Sequence, residues 1–307
     1  METVLSWGMG LIVAVQEARS AALDHFFLSV TALGDDLFYM LALPLFYWCI
    51  DKRRALRFYY LFMLSSWLNS VAKETLQQPR PFDLNAKVKV GNAGGPGLPS
   101  GHAQGSLVFW GYLGLWFRRR WFAFMCIALI CLVAFSRIYL GVHFPTDILG
   151  GWFLGLLLLL PFDALADRIE ARLAQVSMKW KIVLGTGLPV LLALVVPSKW
   201  SVSPMGTTAG FTLAVLIERG RLGHAMPRGI LRAALRYFSG IAGLFIIYFA
   251  LKPFIPKGSS YYLPLVFAHY YILGFWVGFG APWLFRKTGL EPKAYKPESG
   301  ILSRVPT

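Results

Sequence analysis

Apolar runs about as long as a membrane helix alternate along the chain with short polar segments. A spanning helix needs about 20 mostly apolar residues, or about 17 at the short end. With that ruler the pattern predicts nine spans, near 35–50, 55–71, 103–117, 121–135, 147–162, 181–197, 205–217, 239–251 and 261–285. A further apolar stretch at 5–15, followed by Glu17 and Arg19, reads either as an interfacial amphipathic helix or as another span. The expected fold is all-α: a polytopic transmembrane helical bundle of about nine spans.

Charge orients this bundle. Lys52, Arg53, Arg54 and Arg57 follow the first run, and Arg118, Arg119 and Arg120 follow the third. Arg168, Arg172, Lys179 and Lys181 follow the fifth, while Arg219, Arg221, Arg228, Arg232 and Arg236 follow the seventh. Arg286 and Lys287 close the ninth. Basic loops stay in the cytoplasm, so every second loop faces that side. The amino terminus is then outside and the carboxyl terminus cytoplasmic. The segment 288–307 is polar and Pro-containing, and is expected to be a disordered tail.

Composition agrees. The 307 residues are 56% hydrophobic and 15% charged, against about 25% charged in a soluble domain. Thirty Lys and Arg against fifteen Asp and Glu give a formal charge of +15. In a soluble protein that balance would suggest nucleic acid. Here the cations sit in clusters between apolar runs, so nucleic acid is not an expected partner. Cys49, Cys126 and Cys131 all lie inside apolar segments, where cysteine acts as a small hydrophobe, and neither a disulfide nor a zinc site is expected. No basic region precedes the first apolar stretch and no small-residue cleavage site follows it, so no removable signal peptide is read.

Topology leaves three polar clusters unexplained, all on the outer side. The first is Lys73-Glu-Thr-Leu-Gln-Gln-Pro-Arg80-Pro81, the second Pro99-Ser100-Gly101-His102, and the third Ser136-Arg137, five residues, His143, three residues, Asp147. Lys73, Arg80 and Arg137 offer positive charge and planar donors suited to phosphate oxygens. Ser100 and the Gly101 amide add donors at a helix start, which favours anions. One histidine can attack while the other acts as general acid. If Pro145 opens a helix, His143 and Asp147 share one face, and the carboxylate can hold the imidazole tautomer and stabilise its cation.

These motifs, Lys-x6-Arg-Pro, Pro-Ser-Gly-His and Ser-Arg-x5-His-x3-Asp, resemble in order and spacing the three signatures of the type 2 phosphatidic acid phosphatase superfamily. The resemblance covers about residues 67–150. It implies metal-independent hydrolysis of a phosphomonoester or diphosphate through a phosphohistidine, with no cofactor and no metal site. It also implies His143 as nucleophile, His102 as the acid protonating the leaving group and later the base for water, and Asp147 as the group orienting His143. Lys73, Arg80, Ser100, Gly101 and Arg137 would bind phosphate. Within the superfamily, Trp67-Leu-Asn-Ser-Val-Ala-Lys73, Gly95-Pro-Gly-Leu-Pro-Ser-Gly-His102 and Ser136-Arg-Ile-Tyr-Leu look like glucose-6-phosphatase. Asp147 instead follows the lipid phosphatase pattern.

The expected division is a catalytic core at 1–162, four additional spans at 163–287 and a cytoplasmic tail at 288–307. The added spans are open to two readings, shaping substrate access or forming an oligomer interface. Membrane lipids and a phosphorylated lipid or small phosphate ester are the expected partners. A lipid phosphate or isoprenoid diphosphate is favoured, because the motifs lie at headgroup depth; a sugar phosphate is the alternative, and transfer between lipids uses the same residues. The expected location is a bacterial inner membrane with the site facing the periplasm. The remaining polar residues draw plainer expectations. Glu74 is structural, His25 and His224 lie at the surface, and His269 has a hydrogen-bonded packing role. Gly91-Asn-Ala-Gly-Gly-Pro-Gly97 lacks the Lys-Ser/Thr ending of a nucleotide loop and is read as a flexible approach to the second motif.

Overall fold

The computed structural model describes residues 2–221, 226–227 and 229–290, and among them every regular element is helical and no strand occurs. In chain order the helices are α1 (Glu2–Gln16), α2 (Ala21–Thr31), α3 (Asp36–Cys49), α4 (Lys52–Leu76) and a short α5 (Pro81–Leu84). They continue with α6 (Gly101–Phe117), α7 (Arg120–Tyr139), α8 (Pro145–Gln175), α9 (Met178–Val195) and α10 (Lys199–Arg221). The last are α11 (Ile230–Leu251), α12 (Tyr262–Phe275) and α13 (Ala281–Lys287), the final two joined by a π turn at Trp276–Gly280. His224, Arg228 and residues 291–307, most of the expected tail, lie outside the described residues.

The all-α membrane bundle expected from the sequence is what the chain forms, and each of the nine expected runs falls on helix. By length and hydropathy six helical segments among the described residues can cross a membrane, or seven if α2 and α3, bent by 47° at their break, form one span. The second and third expected runs, on α4 and α6, miss that measure. α4 opens on Lys52, Arg53 and Arg54 and buries Ser65, Asn69 and Ser70, while α6 is only 17 residues long.

Two other boundaries differ from expectation. α8 runs on to Gln175 because Asp163, Asp167, Arg168, Glu170 and Arg172 stand among Ala and Leu, all compatible with helix. Two of its acids are paired: Arg57 lies 2.6 Å from Asp167 and 2.7 Å from Glu170. Arg232 and Arg236 also belong to a helix, α11, rather than to a loop. Arg236 is fully buried and donates to the carbonyls of Trp48 and Leu290, which satisfies part of its donor set.

The chain divides into two compact units, one of Met1–Met40 with Leu64–Asp163 and one of Leu41–Met63 with Ala164–Thr307. In the first, α2 and α6 pack on α7, and Phe27 joins Tyr139, Leu140 and Val142 in a core beneath the third motif. Gly151 lets α8 close on the second motif, since a Cβ there would stand 2.6 Å from the Ser100 carbonyl oxygen. In the second unit, α10 packs on α9 and α12. The α10–α12 contact is backbone-close: a Cβ at Gly210 would meet the Tyr271 oxygen at 1.9 Å, and one at Gly274 the Thr207 oxygen at 2.1 Å. Glycines four apart, Gly206 and Gly210 against the backbone of Phe267 and Tyr271, and Gly274 and Gly278 against Thr207 and Phe211, are the means by which membrane helices gain van der Waals contact without a hydrophobic drive.

Candidate active site

The three motifs converge in the first unit, each on a helix end. Lys73 sits in the last turn of α4, Ser100 caps α6, and Arg137 lies in the last turn of α7. Pro145 opens α8, so Asp147 falls in its first turn, four residues after His143. The turn between α7 and α8 is fixed by Gly141, whose φ of +64° suits glycine, and a Cβ there would stand 1.9 Å from the Val88 oxygen. The Arg137 carbonyl then accepts from the Val142 and His143 amides at 3.1 and 3.3 Å.

His143 is the centre. Its Nδ1 lies 3.0 Å from Asp147 Oδ2 and its Nε2 lies 3.0 Å from Arg80 Nη1. A guanidinium only donates, so Nε2 accepts and Nδ1 carries the proton that it donates to Asp147. Asp147 is held in turn: Oδ2 accepts from the Phe144 amide at 2.9 Å and Oδ1 from Gln78 Nε2 at 2.8 Å. Both His143 and Asp147 are buried, at 2% and 0% exposure. That burial, followed by the charges of Arg80, Lys73, Arg137 and His102, holds the imidazole well below the ordinary histidine range. The ring is therefore neutral near pH 7, with a lone pair on the nitrogen that faces a cation.

The glycine-rich loop is tied down, which corrects its reading as a flexible approach. Arg80 donates to the carbonyls of Gly94 and Gly95 at 2.8 and 2.7 Å, and Lys73 Nζ to those of Pro96 and Gly97 at 2.6 and 3.2 Å. The Gly97 amide donates to the Gln78 oxygen at 2.7 Å, and a Cβ at Gly97 would lie 3.1 Å from Asp147 Oδ2. The loop thus presents carbonyls to two cations, where a nucleotide loop presents amides to phosphate.

The second motif stands on a helix start. Ser100 Oγ accepts from the Ala103 amide, and the Ser100 amide donates to the Asp147 carbonyl at 2.8 Å. The first carbonyl-bonded amide of α6 is that of Gln104, so those of Gly101 and His102 remain anion donors. Arg137 is buried; its Nη1 donates to the Thr31 hydroxyl, and its Nε has no hydrogen-bond partner among the described residues. His102 hydrogen-bonds none of the other expected site residues, and its Nε2 lies 2.9 Å from Asp35 Oδ1.

Five side chains with structural work at the site were not read from the sequence as such: Thr31, Asp35, Asn69, Gln78 and Gln104. Asn69 Nδ2 donates to Gln104 Oε1 at 2.8 Å, and Gln104 Nε2 to Ser65 Oγ at 2.9 Å, joining α4 to α6 in a buried network. For Thr31, Asn69 and Gln104, a polar residue inside an apolar run was the available signal. Glu74 accepts from Gln77 at the end of α4, in keeping with a structural role. His25 is exposed as expected. His269 is buried against Tyr248 and Tyr270, but among the described residues its Nδ1 has no hydrogen-bond partner, so the packing seen there is aromatic rather than the expected hydrogen bond.

The PAP2 superfamily model matches residues 54–167, which contain all three motifs, and the model of the PAP2 superfamily phosphatase transmembrane extension matches residues 202–293. The chain belongs to the PAP2 superfamily. As a PAP2 protein it is a multi-pass integral membrane protein, and the helices after α9 have a counterpart in that extension. Lipid phosphate phosphatase delta of Arabidopsis thaliana is 28% identical over 72% of this chain and 59% of its own length. Sphingosine-1-phosphate phosphatase 1 of Mus musculus is 26% identical over 68% of this chain and 53% of its own. Glucose-6-phosphatase catalytic subunit 1 of Haplochromis nubilus is 27% identical over 51% and 53%. The PAP2 chain thus spans little more than half the length of these curated relatives.

Proposed function

We propose that this PAP2 protein is a membrane phosphatase that hydrolyses a phosphomonoester or diphosphate through a phosphohistidine on His143. The observation that carries the reading is the neutral, buried imidazole with Nδ1 on Asp147 and its Nε2 lone pair on Arg80. In the first step Nε2 attacks phosphorus, taking the place of its bond to Arg80, while the bond from phosphorus to the leaving oxygen breaks. That oxygen keeps the electron pair and takes a proton from the His102 imidazolium. Asp147 stabilises the charge left on His143. Water then attacks the phosphohistidine and gives a proton to His102; the P–N bond breaks and its pair returns to Nε2.

Lys73, Arg80, Arg137, the Ser100 hydroxyl and the Gly101 amide bind the phosphoryl oxygens. These fixed donors supply the charge stabilisation directly, so the reaction needs neither metal nor cofactor. Removing one such donor typically costs about 10²–10³ in rate.

The preferred substrate is a lipid phosphate or isoprenoid diphosphate. Supporting this are the names of the Arabidopsis and mouse relatives and the presence of Asp147. The basic-loop pattern supports an outer-face site with the amino terminus outside, which in a bacterial cell means the periplasmic side of the inner membrane. The core is residues 1–162, and 163–287 add further spans that shape access or an oligomer contact. A soluble sugar phosphate is the second reading, favoured by the glucose-6-phosphatase relative.

The test is phosphate release by purified protein in EDTA. The panel is phosphatidic acid, phosphatidylglycerophosphate, undecaprenyl diphosphate, sphingosine-1-phosphate and glucose-6-phosphate, with His143→Ala in parallel. Release that survives EDTA and disappears in the variant is expected, and the preferred substrate decides lipid against sugar. Release that needs an added metal, or that persists in His143→Ala, overturns the mechanism.

A further inference from the structure

An aspartate just before a helix usually turns its carboxylate onto the helix's own first amides. Asp35 stands in that place before α3, at the end of the 3-10 turn Ala32–Gly34. Its carboxylate does otherwise: Oδ1 lies 2.9 Å from His102 Nε2, and it makes no other hydrogen bond among the described residues. The turn is fitted to this ring. A Cβ at Gly34 would stand 2.8 Å from His102 Cδ2 and 3.0 Å from Val133 Cγ1, so only glycine lets the turn approach this closely. The residue that opens the turn, Thr31, is buried and takes the Arg137 guanidinium on its hydroxyl. One turn between α2 and α3 therefore holds two residues from different motifs.

We propose that Asp35 is the positioning residue for His102, fixing its ring so that Nδ1 faces the leaving oxygen. The inference rests on the phosphohistidine reading above and deepens it. A carboxylate accepts only, so the neutral ring carries its proton on Nε2 and leaves the Nδ1 lone pair uncommitted. In the protonated ring both nitrogens carry hydrogen; Nε2–H stays on Asp35 and Nδ1–H goes to the leaving oxygen. In the second step the same Nδ1 takes the proton from water. The charged groups acting on His102 are Asp35 from the turn, Arg137 from α7, Arg80 from the loop after α4, and His143 from the α7–α8 turn. Asp35 is the one anion among them that touches the ring, and its side chain is half-exposed.

The role makes a prediction that a packing role does not. General acid assistance matters for a poor leaving group and little for a good one. Phosphate release is measured from dioctanoyl phosphatidic acid, which leaves as an alkoxide, and from p-nitrophenyl phosphate, which leaves as a stabilised phenolate. Asp35→Asn is expected to lower kcat on phosphatidic acid by about 10²–10⁴ with KM little changed, and on the aryl ester by less than about tenfold. Asp35→Glu is expected to recover part of the alkyl activity. Equal losses on both esters, or no loss on either, overturn the proposal.

His143→Ala keeps the two readings apart, since it abolishes release from both esters if the phosphohistidine reading holds. If the wild-type protein releases phosphate from neither ester, that reading fails, and the ring itself decides the role of Asp35. In ¹⁵N-histidine spectra, with the signal assigned through His102→Gln, wild-type His102 is expected in the Nε2–H form, and Asp35→Ala is expected to lose that preference. An unchanged tautomer and titration in Asp35→Ala overturn the proposal.

Discussion

His143 Nδ1 and Asp147 Oδ2 lie 3.0 Å apart across the start of α8, with Asp147 fully buried and fastened by Gln78 and the Phe144 amide. Because Pro145 begins α8 between them, the pair is set by local chain geometry and needs no long-range adjustment. Asp147→Asn keeps the shape but offers an amide that can donate to Nδ1 and reverse the tautomer. The expected result is a fall in kcat of roughly 10²–10⁴, with phosphate binding retained. Steady-state kinetics together with vanadate inhibition checks this: kcat falls while the vanadate inhibition constant changes little.

The depressed His143 imidazole has a consequence for stability against pH. Its unfolded value is near 6.5, and its folded value lies well below that. Between the two, the unfolded chain binds the proton and the folded one does not, so stability rises with pH across that window. The stabilisation is complete above about 6.5 and is lost as pH falls toward the folded value, by up to about 1.4 kcal/mol per unit for this one group. Melting temperatures of wild type and His143→Gln from pH 7.5 to 5 read it directly. The wild-type curve is expected to fall more steeply on the acid side, and parallel curves would count against a neutral buried ring.

The bundle was legible because hydropathy is written along the chain, and the site because its residues are separated by fixed intervals. His143 and Asp147 are four apart in sequence, His143 in the turn just before α8 and Asp147 in its first turn, so a local stretch of chain brings them together whatever the rest of the fold does. Asp35 had no such marker. It is 67 residues from His102, and in the sequence it served only as the polar edge of an apolar run. Thr31 and Gln78 likewise act through contacts that no spacing rule contains. The reach of α8 past residue 162 was hidden by treating charge as the end of a span, whereas Asp167 and Glu170 find Arg57 and stay helical. The glycines at 94, 95 and 97 suggested freedom, yet Arg80 and Lys73 take their carbonyls as anchors.

Gly141 tests how tightly the nucleophile must be held. Its positive φ costs an L-residue roughly 1–2 kcal/mol, and the added Cβ would also enter the Val88 carbonyl. Gly141→Ala therefore displaces the turn carrying His143 before it disturbs the helices on either side. A misplacement of about 1 Å at a reacting group can cost about 10² in rate. The expected outcome is a loss of kcat near that size with a helical circular dichroism spectrum unchanged. Full activity in Gly141→Ala would show that the turn relaxes without moving Nε2.

The buried amides Asn69 and Gln104 offer the sharpest separation of scaffold from chemistry, because they link the helix carrying Lys73 to the helix carrying His102 and touch no reacting group. Gln104 donates to both the carbonyl and the hydroxyl of Ser65 at 2.9 Å and accepts from Asn69 at 2.8 Å. Gln104→Leu strands the Asn69 amide, apart from a long 3.4 Å contact to the Pro99 carbonyl, and a stranded buried polar group costs about 1–3 kcal/mol. Asn69→Leu strands the Gln104 oxygen in the same way. Replacing both removes the polar pair together, so the double variant is expected to be less destabilised than the two single losses summed, by about 0.5–3 kcal/mol of coupling. Thermal melts of the four proteins in one detergent measure that coupling. If the network also sets the distance between the first two motifs, both single variants lose kcat and the double variant does not recover it, because two leucines cannot fix the register that the amide pair fixed.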